Sequence, residues 1–369
     1  LDLFSGFPQV SRRPPWDEKD EGDTPRRLRE TDLSHLKVWL EGRRLTASME
    51  NVQAAVAMVA EEHGFHPVRE YLGGLTWDGS PRLDGLFPSY FAADDTPLNR
   101  AFGRFLVAAV ARVMQPGAKV DTALILEGAQ GIGKSSAARV LAGGEWFGED
   151  LPEIGTKDAG LYIQGRWIVE LAELTNVTKS EADVVKRYLS TSVDRFRAPY
   201  ARSTEDHARQ CVFIGTVNPN GRGYLKDETG NRRFWIVECK GKVKLAELAA
   251  DRDQLWAEAR HRYEDGELWY LDTEELDAAQ AAVAQERRDT DPMMDRVFDH
   301  VATLEYATIG PLLELLTTTI TRRADGEESK TIRLPTKADQ MRLAGIMKDL
   351  GWVSKRRRVG GSEKETVFE

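Results

Sequence analysis

Residues 128–135 constrain the fold of this chain more than any other part of the sequence. They read Gly-Ala-Gln-Gly-Ile-Gly-Lys-Ser and fit the pattern G-x-x-x-x-G-K-S/T. A short apolar run comes directly before them, and a helical pattern starts after Lys134. Glycines let backbone N–H groups turn inward around phosphate oxygens, and the helix presents its positive end to the same place. A strand, a glycine-rich loop and a helix in this order predict a phosphate-binding loop.

The loop also predicts which side chains hold ATP. The Lys134 ammonium reaches the β- and γ-phosphates, and the Ser135 hydroxyl holds Mg²⁺. ATP and Mg²⁺ are therefore the expected ligands, and the expected ATP-binding residues are Gly128, Ala129, Gln130, Gly131, Ile132, Gly133, Lys134, Ser135 and Ser136. The alternative interpretation is an ordinary glycine-rich loop, which the flanking strand and helix disfavour.

Four short apolar runs predict a sheet. They cover residues 122–127, 167–172, 211–216 and 233–238, and helical stretches separate them. Short buried strands that alternate with helices are typical of parallel sheets. We therefore expect an α/β fold whose P-loop core contains a parallel sheet.

Two glutamates lie at the end of the second apolar run. Glu170 and Glu173 stand where a strand delivers a carboxylate to the carboxyl edge of a sheet, and such a carboxylate ligates Mg²⁺ through water. A further carboxylate is needed to polarise the attacking water. We expect Ser135 and Glu170 to hold Mg²⁺, but the spacing of Glu170 and Glu173 does not settle which of the two is the metal ligand and which is the catalytic base. Either glutamate alone could instead be a solvated side chain at a strand end.

Polar residues after the third run and before the fourth complete the predicted site. Asn218 can hold the attacking water and sense the γ-phosphate, or it can simply start a turn before Pro219. Arg232 and Arg233 offer planar, permanently charged donors to a transferring phosphoryl group, although isolated arginines are more often solvated or ion-paired. The catalytic candidates are Lys134, Glu170, Glu173, Asn218, Arg232 and Arg233.

The charge distribution limits where nucleic acid can bind. The chain carries 51 basic and 60 acidic residues, a net charge of −9, so any nucleic-acid site must be a local groove or tip. Basic and aromatic residues alternate between positions 186 and 209, as in a loop that grips a nucleic-acid backbone, and a second basic run suits the tip of a wing. The candidates are Lys186, Arg195, Arg197, Arg202, Lys355, Arg356, Arg357 and Arg358. The alternatives are a hairpin packed on a neighbouring subunit and a solvated charge run.

Composition and periodicity divide the chain into five segments. Residues 1–30 contain four prolines among dense charge and predict a loosely held linker. Residues 31–118 predict a small helical domain, with one helix after Ser48 and another over residues 98–114. The P-loop core follows over 119–250 and a helical connection over 251–290. Residues 291–369 predict a winged helix-turn-helix, because three helices, the last with a capping box at Thr336 and Asp339, precede a terminal hairpin.

Cysteine content and hydropathy indicate the cellular setting. Cys211 and Cys239 are too few for a disulfide framework or a four-ligand zinc site, so we expect a reducing, cytoplasmic environment. No run approaches the roughly 20 apolar residues of a spanning helix, so no membrane partner is expected. The sequence starts without a methionine or a signal-peptide pattern, and we expect it to be a fragment that an upstream domain precedes.

In combination, these segments resemble the virulence-associated protein E family of phage, prophage and pathogenicity-island proteins. The resemblance covers roughly residues 63–266 and rests on residues 65–72, 77–79, 127–135, 167–174, 194–200, 229–234 and 254–259. The family's ATPase core is similar to superfamily 3 helicases and to the helicase halves of phage primase–helicases, which are ring-forming, AAA+-like enzymes. The resemblance therefore implies an AAA+-like core, a homo-oligomeric ring or hexamer, and single-stranded DNA in a central channel.

The resemblance also implies a role for each candidate residue. The phosphate-binding loop would be Walker A, Glu170 with Glu173 the Walker B region, and Asn218 the sensor. Arg232 or Arg233 would reach the nucleotide of the adjacent subunit, and residues 195–202 would lie near the hairpin that enters the channel. Two residues separate Glu170 from Glu173 here, whereas AAA+ proteins usually present an adjacent acidic pair. The resemblance therefore leaves open which glutamate is the catalytic base.

These observations predict an ATP-dependent, ring-forming DNA helicase of a phage or another mobile genetic element. A primase domain or protein, and duplex DNA at the winged helix, are the further expected partners. The alternative is a DNA-binding replication or regulatory protein that uses ATP as an assembly switch without unwinding. A small-molecule P-loop kinase would share the loop, but it explains neither the paired arginines nor the C-terminal module.

Overall fold

A computed structural model of this chain describes residues 1–16, 25–171, 179–197, 204–218, 231–287, 293–322, 328–358 and 364–368. The chain forms two compact units, Leu1–Arg288 and Asp289–Glu369. The division into five segments predicted from composition is finer than these two units and stays a prediction. Among the described residues, no helix is both long enough and apolar enough to cross a membrane.

The first unit begins with a short hairpin and a set of helices. These elements are β1 (Gln9–Val10), β2 (Arg26–Arg27), α1 (Glu30–Gly42), α2 (Met49–Glu62), α3 (Pro67–Gly74), α4 (Leu86–Phe91), α5 (Pro97–Ala101) and α6 (Arg104–Met114). The Ser48 hydroxyl accepts a hydrogen bond from the Asn51 amide and caps α2, so the helix predicted after Ser48 is confirmed.

The first ten residues are packed against the rest of the unit. Phe4 is buried, and the buried Asp2 carboxylate accepts hydrogen bonds from the Phe4 amide at 2.9 Å and the Ser5 hydroxyl at 2.6 Å. The Leu3 amide donates to the Phe65 carbonyl at 2.8 Å. The expectation of a loosely held segment is therefore wrong for residues 1–10, because a buried aromatic ring and a satisfied carboxylate outweigh the proline-rich composition.

The helix predicted over residues 98–114 is two helices, α5 and α6, that meet at Gly103. A Cβ atom on Gly103 would lie 2.3 Å from the Leu83 carbonyl oxygen. The chain therefore turns where another backbone segment approaches it closely, a tertiary contact that helical periodicity does not reveal.

The second part of the first unit contains the sheet. Its elements are β3 (Ala123–Glu127), α7 (Lys134–Ala142), β4 (Phe147–Gly148), α8 (Lys157–Tyr162), β5 (Ile168–Leu171), α9 (Lys179–Ser190), β6 (Val193–Phe196), β7 (Glu205–Ala208), β8 (Val212–Val217), β9 (Phe234–Glu238), α10 (Leu245–Glu264) and α11 (Glu274–Glu286). Five strands pair in the order β4-β5-β8-β3-β9, and every pair is parallel. The predicted α/β fold with a parallel sheet is confirmed, and the two-residue strand β4 was too short to predict.

The sheet is buried on both faces. Leu124, Ile168 and Ile214 point into a core that contains apolar residues of α6, α7 and α10. Residues on the opposite face pack with α8, α9 and α11. Because the strands are parallel, the segments that follow β3, β5 and β8 all lie at one edge of the sheet. The segment that precedes β9 lies at the opposite edge.

The second unit consists of helices, a three-stranded sheet and a hairpin. Its elements are α12 (Met294–Val301), β10 (Ala307–Thr308), α13 (Ile309–Thr317), β11 (Thr318–Arg322), β12 (Glu328–Ile332), α14 (Lys337–Asp349), β13 (Ser354–Arg358) and β14 (Lys364–Phe368). The sheet order is β10-β14-β13, and β11 pairs only with β12 among the described strands. Thr336 and Asp339 form the predicted capping box, and Leu343 and Met347 are buried. The winged-helix assignment stays a prediction.

The junction at Gly103 predicts a stability effect. Replacing Gly103 by alanine should lower the free energy of unfolding by about 1–3 kcal/mol, because the new methyl group meets a backbone carbonyl that cannot move freely. Thermal or urea unfolding measures the change. Gly73→Ala is the matched control, since nothing lies within 4 Å of a Cβ there and alanine favours the helix. Equal stability of the two variants would contradict the close approach.

Candidate functional site

The glycine-rich loop lies at the carboxyl edge of β3 and is tied to its neighbours by backbone hydrogen bonds. The Gly128 amide donates to the Val217 carbonyl at 3.0 Å, and the Val243 amide donates to the Ile132 carbonyl at 2.9 Å. Gly131 and Gly133 have φ values of +79° and +101°, a region that favours glycine. The loop therefore has a defined backbone shape that leads directly into α7.

Gly128 is required for a steric reason. A Cβ atom there would lie 2.6 Å from the Cys239 carbonyl oxygen and 2.8 Å from the Ile132 side chain. The Cys239 amide donates to the Glu127 carbonyl at 2.7 Å, so the end of β9 closes against the start of the loop. A side chain at position 128 would push these two backbone segments apart.

Lys134 is buried at the centre of the loop. Its Nζ atom donates to the carbonyl oxygens of Gly128 and Ala129 and to Oδ1 of Asn218, each at 2.8 Å. Burial lowers the pKa of the Lys134 ammonium, and the nearby Glu170 carboxylate opposes that shift. Lys134 and Asn218, two of the predicted catalytic residues, are thus brought into direct contact.

Ser135 and Glu170 form the second contact of the site. The Ser135 hydroxyl donates to Glu170 Oε1 at 2.7 Å, and the Thr216 hydroxyl donates to the same oxygen at 2.7 Å. Glu170 lies on β5 and Thr216 on β8, with side chains on the sheet face that α7 covers. The structure therefore joins the two residues that the sequence assigned to Mg²⁺, whereas Glu173 lies outside the described residues.

Thr216 is a site residue that the sequence analysis missed. In the sequence, Thr216 is only the last residue of an apolar run. A hydroxyl at the carboxyl end of a central strand is nevertheless a pattern that can indicate a site residue. Its hydroxyl holds the Glu170 carboxylate from the neighbouring strand, which fixes the orientation of that carboxylate toward Ser135.

Arg232 and Arg233 lie away from the loop within this chain. They belong to the short 3₁₀ helix Asn231–Arg233, which precedes β9 and therefore sits at the edge opposite the loop. Arg233 Nε donates to the Ser190 hydroxyl at 3.0 Å, whereas Arg232 is exposed. Both line a cavity of about 350 Å³ together with Lys119 and Trp235. Either arginine can act on the phosphate-binding loop only from a second copy of the chain.

The basic candidates of the first unit divide into buried and exposed residues. Lys186 is buried on α9, so its side chain is not exposed for the predicted contact with nucleic acid. Arg195 and Arg197 are exposed on the hairpin of β6 and β7, where Arg195 lies 3.4 Å from Asp206. Arg202 lies outside the described residues.

A buried ion pair anchors the base of that hairpin. Arg209 Nε and Nη2 each donate to the Asp194 carboxylate at 2.7 Å, and the Arg209 side chain is fully buried. Such bidentate pairs are rigid. The exposed arginines therefore project from a fixed base that directly precedes the central strand β8.

In the second unit, Lys355 and Arg356 are exposed on β13. Arg357 and Arg358 belong to the same strand. The strand pairs with β14 in antiparallel register, so the predicted terminal hairpin is present, and its turn lies outside the described residues.

The residues present fit a nucleotide with a bound divalent cation. The loop has no room for a side chain at Gly128, an ammonium lies at its centre, and a hydroxyl and a carboxylate oxygen lie side by side at the start of α7. Mg²⁺ prefers such oxygen ligands. The protein usually supplies only a few of them, and phosphates and water molecules supply the others. No group of three or more His, Cys, Asp or Glu side chains within the described residues could hold a metal ion by itself.

A comparison with protein-family models agrees with the motif resemblance. A family model described as the virulence-associated protein E-like domain matches residues 72–289. An apo structure of the C-terminal region of NrS-1 is similar with a TM-score of 0.47 and 13% sequence identity, and covers 80% of this chain and 77% of that chain. An A-form apo structure of the same region is similar with a TM-score of 0.43 and 12% sequence identity. That match covers 71% of this chain and 78% of that chain. No curated protein matches the chain.

The packing of Gly128 predicts a position-specific effect within the loop. Gly128→Ala should lower the free energy of unfolding by about 1–3 kcal/mol, because the methyl group displaces the Cys239 backbone. Gly131→Asn is the matched control, since nothing lies within 4 Å of a Cβ there and asparagine tolerates a positive φ. Denaturant unfolding compares the two. A Gly131 variant that is the less stable of the pair would contradict the steric explanation.

Proposed function

The chain belongs to the family of virulence-associated protein E-like domains, and we propose that it is an ATP-hydrolysing, ring-forming DNA helicase that helps to replicate a phage or another mobile genetic element. The observation that carries this proposal is the contact of Ser135 with Glu170 beside the buried Lys134. These three side chains come from two elements, β5 and α7, and meet only because the strands are parallel. A glycine-rich loop alone would not bring these three side chains together.

Each residue of the site has a role in the proposal. Lys134 binds the β- and γ-phosphates, and Ser135 with Glu170 holds the Mg²⁺ that accompanies ATP. That cation neutralises phosphate charge when it is bound. Asn218, in contact with Lys134, is placed to orient the attacking water. Because Glu170 is engaged with Ser135 and Thr216, Glu173 is the remaining candidate for the base.

An arginine from a neighbouring subunit completes the proposed site. Arg232 and Arg233 lie at the edge opposite their own loop, so they are available to the loop of a second copy. Arg232 is the stronger candidate, because Arg233 is held by Ser190. A homo-oligomeric ring, such as a hexamer, satisfies this requirement for every subunit.

DNA binding rests on two exposed basic surfaces. Arg195 and Arg197 belong to the hairpin that we assign to single-stranded DNA, and Arg202, outside the described residues, is a further candidate for the same contact. In the second unit, residues 330–358 contain nine basic and two acidic residues, a net charge of +7 in a chain of −9. The three helices, with the sheet order β10-β14-β13, support the winged-helix assignment, in which this basic segment contacts duplex DNA. A cytoplasmic setting and an associated primase complete the proposal.

Hydrolysis should depend on assembly. Lys134→Ala should abolish ATP hydrolysis, whereas Arg232→Ala should keep ATP binding and lose about 10³-fold or more in turnover, because an arginine supplied in trans is worth that much. The measurement is ATP hydrolysis with and without single-stranded DNA, over protein concentrations that span monomer and assembly. Arg100→Ala, which removes an exposed arginine paired with Asp95, is the control.

The outcomes separate the proposal from its alternative. Cooperative, DNA-stimulated hydrolysis that Lys134→Ala removes supports the helicase and leads to a strand-separation assay. A specific activity that is constant across all protein concentrations contradicts the site shared between subunits. ATP binding with negligible, DNA-independent turnover favours the ATP-switched DNA-binding protein.

The basic strand β13 should contribute to duplex binding. Replacing both Lys355 and Arg356 by alanine should weaken duplex binding without regard to sequence, and should reduce the slope of log affinity against log salt by about 2, because each phosphate contact releases a counterion. Fluorescence anisotropy over a salt series measures this. Arg100→Ala with Lys240→Ala makes the same change in net charge elsewhere. Equal weakening by both pairs would point to net charge and count against a local wing contact.

A further inference from the structure

Arg287, at the end of α11, lies between two carboxylates that flank the phosphate-binding loop. Its Nε atom donates to Glu127 Oε2 at 2.9 Å, and its Nη2 atom lies 3.4 Å from Glu238 Oε2. The side chains of Arg287 and Glu127 are largely buried, with 15% and 10% of their surface exposed, while Glu238 is half exposed. One guanidinium therefore bridges two glutamates.

The sheet register brings the two glutamates together. Glu127 ends β3 and Glu238 ends β9, and the two residues are partners in the parallel pairing of these strands. Neighbouring strands are about 4.8 Å apart, and both side chains lie on the face of Ile125 and Ile236. Like charges directly opposite each other on adjacent strands repel. A cation between them is needed to keep both strand ends in place.

The strand ends that carry these glutamates form the base of the loop. Glu127 directly precedes Gly128, and its carbonyl accepts a hydrogen bond from the Cys239 amide at 2.7 Å. The Cys239 carbonyl is the group that excludes a side chain at Gly128. A shift or a repulsion at the two glutamates is therefore transmitted directly to the loop backbone.

Helix α11 fixes the position of Arg287. The Gln280 side chain donates to the Phe234 carbonyl at the start of β9 at 2.9 Å, and Ala284 is buried in the core below the sheet. Helix α11 thus runs along the whole of β9, from Phe234 to Glu238. It delivers a guanidinium, whose planar fork can contact two carboxylates at once, to the same edge as the loop.

We propose that Arg287 is a positioning residue for nucleotide binding, which neutralises Glu127 and Glu238 beneath the phosphate-binding loop. The inference rests on the proposed ATP-binding function and adds a residue to it from α11. Without Arg287, the two carboxylates would lose the cation that bridges them beside the place where a triphosphate binds. The loop would be displaced by their mutual repulsion, and the phosphates would be repelled by their charge.

The test is equilibrium binding of a fluorescent ATP analogue with Mg²⁺ to the full chain. Arg287→Gln should raise the Kd for the ATP analogue by about three- to thirty-fold. The loss of one attraction between a cation and the phosphates has about this effect when the separation and the dielectric constant are intermediate. The loss should shrink at high salt, which screens the exposed carboxylate. Arg287→Gln combined with Glu238→Gln should recover most of the affinity, and Arg287→Lys should retain part of it. Glu286→Gln is the control, because it removes a rim contact of Arg287 and leaves the bridge intact.

Each outcome bears on the proposal. An unchanged Kd in Arg287→Gln, while the wild type binds ATP, overturns this inference alone. A weakened variant that neither high salt nor Glu238→Gln restores, together with a lower Tm, indicates a merely structural role and also overturns it. A wild-type chain that binds no ATP overturns the proposed function together with this inference. Restoration by Glu238→Gln at unchanged Tm supports the bridge.

Discussion

The parallel pairing of five strands is the constraint on which the candidate site depends. Parallel strands end at one edge, so residues far apart in the sequence, Lys134, Glu170 and Asn218, are delivered to one place. Strand β8 is inserted between β3 and β5, which puts Thr216 beside Glu170 and Asn218 beside Lys134. The sheet is buried on both faces, so these strand ends have little freedom to move.

The sequence predicts the parts of the fold and of the site that follow from local chemistry. The glycine-rich loop, the strand that delivers Glu170 and the capping box of α14 each have a short-range signature, and the structure contains all three. The pairing of Ser135 with Glu170 could be expected from the loop and the strand together. The loop, the strand and the capping box depend on backbone geometry and on residues only a few positions apart.

The features that the sequence did not predict depend on contacts between distant segments. Gly103 divides a helix because Leu83 approaches it, Lys186 is buried by tertiary packing, and Thr216 matters because of the neighbouring strand. Arg287 lies 160 positions from Glu127, and nothing in the local sequence of either residue indicates their contact. Such contacts are decided by the register of the strands and by the course of α11 over β9.

The opposite placement of the phosphate-binding loop and Arg232 has a consequence for symmetry. A two-fold dimer that joins one edge to the same edge of its partner brings loop to loop and leaves every arginine unused. A two-fold dimer can supply the arginine only if the two sheets lie side by side and antiparallel, whereas a site repeated around more than two copies requires a heterologous, head-to-tail contact, in which each copy offers one edge and receives the other. Such a contact closes into a ring only when the rotation between neighbours divides a full turn; otherwise it continues as a helical filament. A small tilt between neighbouring copies therefore decides between a closed and an open assembly.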